Sequence, residues 1–275
     1  MPTLARDTSP EAERILIELW RKRTSAQQLQ SIVTMRQMAR ELILSDLREK
    51  HPRADQNQLN RLLLARMAGE EISSLLQKGS SSFAEGQMLN ELEILFLVTK
   101  RLEELKLPYF ISGSMASIKY GEPRFTRDAD IVIRMLPVHV AEFVKKFEAD
   151  FAISADAVQE ALQRRYAIQL IHFDTAFKID LFSITEQDEL EISAFARRQR
   201  HDLGGGEVWM ASAEDIILAK LRWFQLGGGV SEVQWRDVLG VLKVQGDALD
   251  FQYLAEQAHQ FDLFDLLAKA RRDAE

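Results

Sequence analysis

Three short stretches carry residue types that can do chemistry. Gly113-Ser114 stands between a short apolar run, Tyr109-Phe110-Ile111, and a stretch with helical character that reaches Tyr120. Thirteen residues separate Ser114 from Asp128-Ala129-Asp130, which opens the apolar run Ile131-Val132-Ile133. A third acid, Asp180, lies in Lys178-Ile179-Asp180-Leu181-Phe182. Side chains alternate along a strand, so Asp128 and Asp130 point to one side. Two carboxylates held together repel unless a cation stands between them. Oxygen-only ligands at a strand end suit a hard cation such as Mg²⁺. At the other stretch, the start of a helix offers backbone N–H groups to an anion, and Gly113, lacking a Cβ, lets backbone approach a phosphate. Ser114 adds a hydroxyl. Simpler readings stand beside these: a strand-to-helix turn capped by serine, and at Asp180 a strand carboxylate meeting solvent.

Taken together, these stretches resemble the signature of the DNA polymerase beta-like nucleotidyltransferase superfamily: Gly-Ser at a strand end, a short helix, Asp-x-Asp on the next strand, and a third carboxylate on a later strand. The resemblance runs over roughly residues 89–270. It implies that Asp128, Asp130 and Asp180 hold two Mg²⁺ ions, and that Gly113 and Ser114 bind the phosphates of an NTP. The segment from Ala213 to Lys220 and the helix containing Gln234-Trp235-Arg236-Asp237-Val238 also look like the AbiEii-like branch. That likeness implies a triphosphate-binding role for Lys220 and a supporting role for Asp237. Without it, Lys220 reads as a snorkelling lysine beside Ile216 and Phe224, and Asp237 as half of an ion pair within its helix.

Composition bounds the class. The chain has 275 residues, 46% hydrophobic and 28% charged, enough for a packed core of one or two domains. No run of about 18 apolar residues is present, so no membrane span is expected. The first residues lack an apolar signal region. There is no cysteine, which excludes disulfides and thiolate metal sites. These features fit the cytoplasm. The net charge of -7 argues against a surface that coats itself with nucleic acid. It is unevenly spread: residues 1–87 carry 13 basic and 11 acidic side chains, net +2, and the remainder 22 and 31, net -9.

The elements that must position these residues give an α+β class: a small mixed sheet forming a nucleotidyltransferase core, flanked by an N-terminal helical bundle and C-terminal helices. The division expected is a helical module over 1–77, a linker over 78–87, the core over 88–211 and a helical subdomain over 212–275. In the module, Ser9-Pro10 starts one helix. A second helix, from about Ser25, presents Leu29, Ile32, Arg36, Ala39, Ile43 and Leu47 as its stripe. Asp55 to Gln58 is a capping-box pattern for a third, and Ile72, Leu75 and Leu76 mark a short fourth. Arg21-Lys22-Arg23 reads as a solvated helix end rather than an RNA contact. Strands are expected near 109–111, 131–133, 167–173, 176–184 and 207–211. Ile179 and Leu181 share the face opposite Asp180. Asp215 reads as a first-turn acid compensating its helix dipole, and His172 as structural. The runs Gly204-Gly205-Gly206 and Gly227-Gly228-Gly229 lack the Lys-Ser/Thr of a phosphate loop.

The resemblance implies transfer of an NMP from an NTP to an acceptor hydroxyl on tRNA, a protein or a small molecule. It also implies a toxin–antitoxin-like setting, with an antitoxin or a second copy of the chain engaging residues 1–77. Two other readings remain open: a non-catalytic module that binds nucleotide or a partner, and an antibiotic-modifying transferase of the aminoglycoside type. Residues 1–77 read either as a fused regulator or as a structural extension.

Overall fold

A computed structural model describes residues 8–68 and 89–275. The expected fourth helix around Ile72–Leu76 and the expected linker over 78–87 lie outside the described residues. Seven strands occur among the described residues: β1 (Tyr109–Ser112), β2 (Asp128–Ile133), β3 (Phe151–Ala152), β4 (Ile168–His172), β5 (Lys178–Ser183), β6 (Gln199–Asp202) and β7 (Glu207–Met210). With their flanking helices they give the expected mixed α+β class. The described chain falls into two compact units, one of residues 8–29, 109–124 and 184–275, the other of residues 30–68, 89–108 and 125–183.

In the second unit the strands run in the order β3-β4-β5-β2. β2 and β5 are parallel, while β4 is antiparallel to both β5 and β3. Ile131 and Ile133 of β2 and Ile179 and Leu181 of β5 are buried, as the period-two alternation predicts. Phe143 and Phe147 of the helix Val140–Phe147 pack against each other, and Phe147 meets Phe151 edge-on. His172 is buried at this cluster, edge-on to Phe151 and bonded to Thr175, a structural role as expected. The helix Glu91–Glu104 starts at a capping box in which Asn90 and Glu93 bond each other's backbone N–H. Asp55 and Gln58 do the same before Gln56–Ala68. Leu59 and Leu63 of that helix cluster with Leu47.

In the first unit β7 is parallel to β1 and antiparallel to β6. The helices Gly113–Tyr120, Ala213–Leu226 and Glu232–Gln245 form its centre. Gly121 is needed there for packing. A Cβ on it would lie 2.9 Å from the Ser117 carbonyl oxygen and 3.0 Å from backbone atoms of Gly240 and Val241. None of these is a side-chain tip that could swing aside. Arg21 ends the helix Pro10–Arg21 and, with Lys22 and Arg23, is exposed, as expected, but it also has a specific partner. Its Nε and Nη2 donate to the carbonyls of Val244 (2.6 Å) and Lys243 (2.7 Å) at the end of Glu232–Gln245. The cation still meets a helix C-terminus, but that of another helix. Asp215 stands in the first turn of Ala213–Leu226, as expected. It is buried and accepts from Ser212 Oγ and Tyr253 Oη at 2.7 Å each. β6, β3 and the helix Glu189–Arg197 were not expected. β6 is a polar strand, Gln-Arg-His-Asp, without apolar alternation; its pairing with β7 makes it a strand.

Two predictions follow from this unit. Gly121→Ala should destabilise the chain by about 2 kcal/mol, because the added methyl overpacks backbone; urea denaturation at unchanged slope checks it. His201 is bonded through Nε2 to Tyr120 Oη at 2.9 Å. Burial, then the nearby Lys119 charge, pushes its pKa down from 6.5 to about 4. The unfolded chain therefore takes up this proton first, so the contribution is complete above pH 6.5 and is lost as pH falls toward about 4. His201→Gln should flatten the dependence of Tm on pH across that window.

Candidate active site

The second unit gathers the three acids on one sheet face. In the parallel β2–β5 pair Asp130 stands opposite Asp180, and Asp128 opposite Lys178. Equal register in adjacent strands puts all four side chains on the same side. Gln169 of β4, opposite Asp180, shares that side. Asp128 and Asp130 are half-buried, whereas Asp180 is buried at 8% exposure. The solvent-facing alternative for Asp180 is therefore wrong.

Lys178 is the residue the sequence reading passed over. Its Nζ lies 2.6 Å from Asp180 Oδ2 and 3.7 Å from Asp128 Oδ2. Burial works against its charge, but the hydrogen bond and charge of Asp180, with Asp128 and Asp130 beyond, hold its pKa above the usual lysine value. The signal was available, since Lys178 and Asp180 stand at i and i+2 on a strand, the spacing that pairs Asp128 with Asp130. Asp180 Oδ1 is buried without a hydrogen-bond partner. Hard oxygen donors, a cation already drawn to them and one orphaned carboxylate oxygen fit a divalent ion such as Mg²⁺. In the present side-chain positions no three His, Cys, Asp or Glu among the described residues form a ready metal cage.

The first unit holds the other candidate residues. Gly113 adopts φ +57°, a backbone conformation that requires glycine there. It opens the helix Gly113–Tyr120, and Ser114 follows it. The Ser114 hydroxyl accepts from Arg124 Nη2 at 2.7 Å. Arg124 also forks onto Asp237, Nε to Oδ1 at 2.7 Å and Nη2 to Oδ2 at 2.8 Å. Lys220 Nζ stands 2.9 Å from the same Oδ2. Lys220 and Asp237 are both buried, so Lys220 does not snorkel. Nor does Asp237 pair within its helix. Its neighbour Arg236 pairs with Glu122 instead, Nε to Oε2 at 2.9 Å. Burial raises the Asp237 carboxyl, but the Arg124 hydrogen bond and the charges of Lys220 and Arg124 outweigh it, leaving the pKa below the usual carboxylate range. Two cations, one anion and a hydroxyl leave this cluster with one positive charge in excess, which suits a phosphate. Arg124 was not foreseen. It lies in the irregular stretch before Asp128, where no periodicity marks a side chain for burial.

A family model described as Rv0078B-related antitoxin matches residues 21–84. That is under half of the chain and speaks for this segment alone. No curated protein matches the chain. Among solved structures, a nucleotidyltransferase-like antigenic protein from Paracoccidioides brasiliensis aligns at 20% identity and TM-score 0.42, covering 65% of this chain and 90% of that one. The lincosamide antibiotic adenylyltransferase LnuA, with lincomycin bound, aligns at 15% identity and TM-score 0.39, covering 57% and 99%. The antibiotic-resistance factor ANT(2'')-Ia aligns at 12% identity and TM-score 0.41, covering 67% and 98%. At these scores the likenesses carry no weight for function.

The buried cluster can be tested directly. Asp237→Asn keeps the shape but leaves Lys220 and Arg124 without their counter-charge, and should cost about 3 kcal/mol. Adding Lys220→Met should recover part of that loss, with a coupling of about 1 kcal/mol or more in a urea double-mutant cycle.

Proposed function

We propose that this chain is a metal-dependent nucleotidyltransferase that moves an NMP from an NTP to a hydroxyl on RNA or protein, in a toxin–antitoxin-like setting. The observation that carries the reading is the register of β2 and β5, which sets Asp130 opposite Asp180 beside Asp128. Three carboxylates on one face are costly to assemble without a cationic partner, and the Gly-Ser turn and Asp-x-Asp spacing are those of the superfamily signature. The antitoxin-like match over residues 21–84 supports the setting: such a segment and a transferase-like remainder share one chain.

On this reading Asp128, Asp130 and Asp180 would hold Mg²⁺, which when bound lowers the pKa of an acceptor hydroxyl and neutralises a pyrophosphate leaving group. Asp180 Oδ1, buried without a hydrogen-bond partner, would take a ligand or the acceptor proton. Gly113 and Ser114 would offer a backbone N–H and a hydroxyl to the phosphates, with Lys220 and Arg124 balancing charge. Asp237 would hold both cations oriented before substrate arrives.

Incubating the full chain with each α-labelled NTP, Mg²⁺ and, in separate reactions, total RNA, cell protein or an aminoglycoside tests the reading. Label is expected on RNA or protein, falling about 100-fold or more in Asp128→Asn/Asp130→Asn. Absence of label with all four NTPs, label on the drug alone, or an undiminished double variant would overturn it.

A further inference from the structure

Arg36 is a buried guanidinium that the chemistry above does not use. It belongs to the antitoxin-like stretch, on the helix Ser25–Lys50, and is only 4% exposed. Its Nε donates to Glu91 Oε1 at 2.7 Å, at the first residue of the helix Glu91–Glu104. Its Nη1 donates to the carbonyls of Arg127 at 3.0 Å and Thr126 at 3.4 Å. Its guanidinium carbon stands 5.1 Å from the Phe177 ring centroid and 6.0 Å from that of Phe125. Arg127 immediately precedes Asp128, and Phe177 immediately precedes Lys178. One side chain thus grips the chain at the start of both acid-bearing strands. Thr126, held by its carbonyl, turns its hydroxyl to Asp128 Oδ1 at 3.3 Å.

The chemistry of the grip is specific to arginine. An ion this deeply buried is costly unless charge and donors are both answered. Here a carboxylate, two carbonyls and an aromatic face answer them. A lysine would bring one point charge and could not reach Glu91, two carbonyls and a ring together. All of these partners lie in the unit that carries Asp128, Asp130 and Asp180.

We infer that Arg36 is a positioning residue for the carboxylate face, and that the antitoxin-like segment is a required part of the transferase rather than a detachable inhibitor. The inference rests on the proposed metal-dependent transfer. It makes a claim separable from that proposal: Asp128 is held in place by a side chain from the segment an antitoxin would contribute.

The test uses the full chain and Mn²⁺ alone, followed by isothermal titration calorimetry, with label transfer and Tm measured alongside. Arg36→Met should lose about tenfold or more in Mn²⁺ affinity, the loss typical when a group supporting a ligand is removed. It should also lower kcat while leaving KM for the NTP within about twofold. Arg36→Lys should not restore the affinity, and Glu91→Gln, which keeps the shape, should show an intermediate loss. Leu47→Ala, in the cluster with Leu59 and Leu63, should lower Tm yet keep wild-type Mn²⁺ affinity. Wild-type affinity in Arg36→Met, full rescue by lysine, or an equal loss in Leu47→Ala would overturn the inference. A wild-type chain that binds no Mn²⁺ and transfers no label would instead remove the parent reading, and this inference with it.

Discussion

Setting Asp130 opposite Asp180 in a parallel strand pair concentrates negative charge on one sheet face, and the surrounding unit answers the repulsion this creates. Lys178 leans over the acids from the same strand as Asp180, spreading its charge between Asp180 and Asp128. Behind the face, Ile131, Ile133, Ile179 and Leu181 are buried and hold the strands in that register, because a slip by one residue would carry the acids into the core. Hydrophobic burial on one side is what keeps like charges together on the other.

The first unit shows the opposite balance. Arg124 and Lys220 converge on one carboxylate, Asp237, and Arg124 reaches on to Ser114. A guanidinium and an ammonium share one buried aspartate, so the position of each depends on the other two. Bidentate geometry at Arg124 also orients the Asp237 carboxylate, leaving Oδ2 to serve Lys220 as well.

The N-terminal helices are tied to their surroundings by arginine rather than by apolar contact alone. Arg21 donates to carbonyls at the end of one helix, and Arg36 to the backbone ahead of Asp128. Both target main-chain oxygens that would otherwise be short of donors, which rewards a fork of N–H groups over a point charge. Arg36 also illustrates a limit of stripe reading. It falls at a helical stripe position among Leu29, Ile32 and Leu47, and the stripe correctly implies burial. The stripe carries no information about what buries a charge there.

Local rules determined a definite part of this protein. Strand alternation put Asp128 and Asp130 on one side and Ile179 and Leu181 behind Asp180, because period two depends only on neighbouring residues. Capping chemistry located the starts at Ser9 and Asp55, because a side chain and the next turn's N–H groups are close in sequence. The Gly-Ser turn was legible because glycine tolerates a φ that other residues resist. Tertiary structure alone decided the partners. Asp237 bonds Arg124, which is 113 residues away, rather than its neighbour Arg236. Lys220 is buried against that acid instead of reaching solvent, and Arg21 closes a helix more than 200 residues further on. The polar edge strand β6 exists only because β7 offers it a ladder. Charge pairing acts through space and carries no period along the chain, so the residues that could do chemistry were readable while most of the cations that hold them were not.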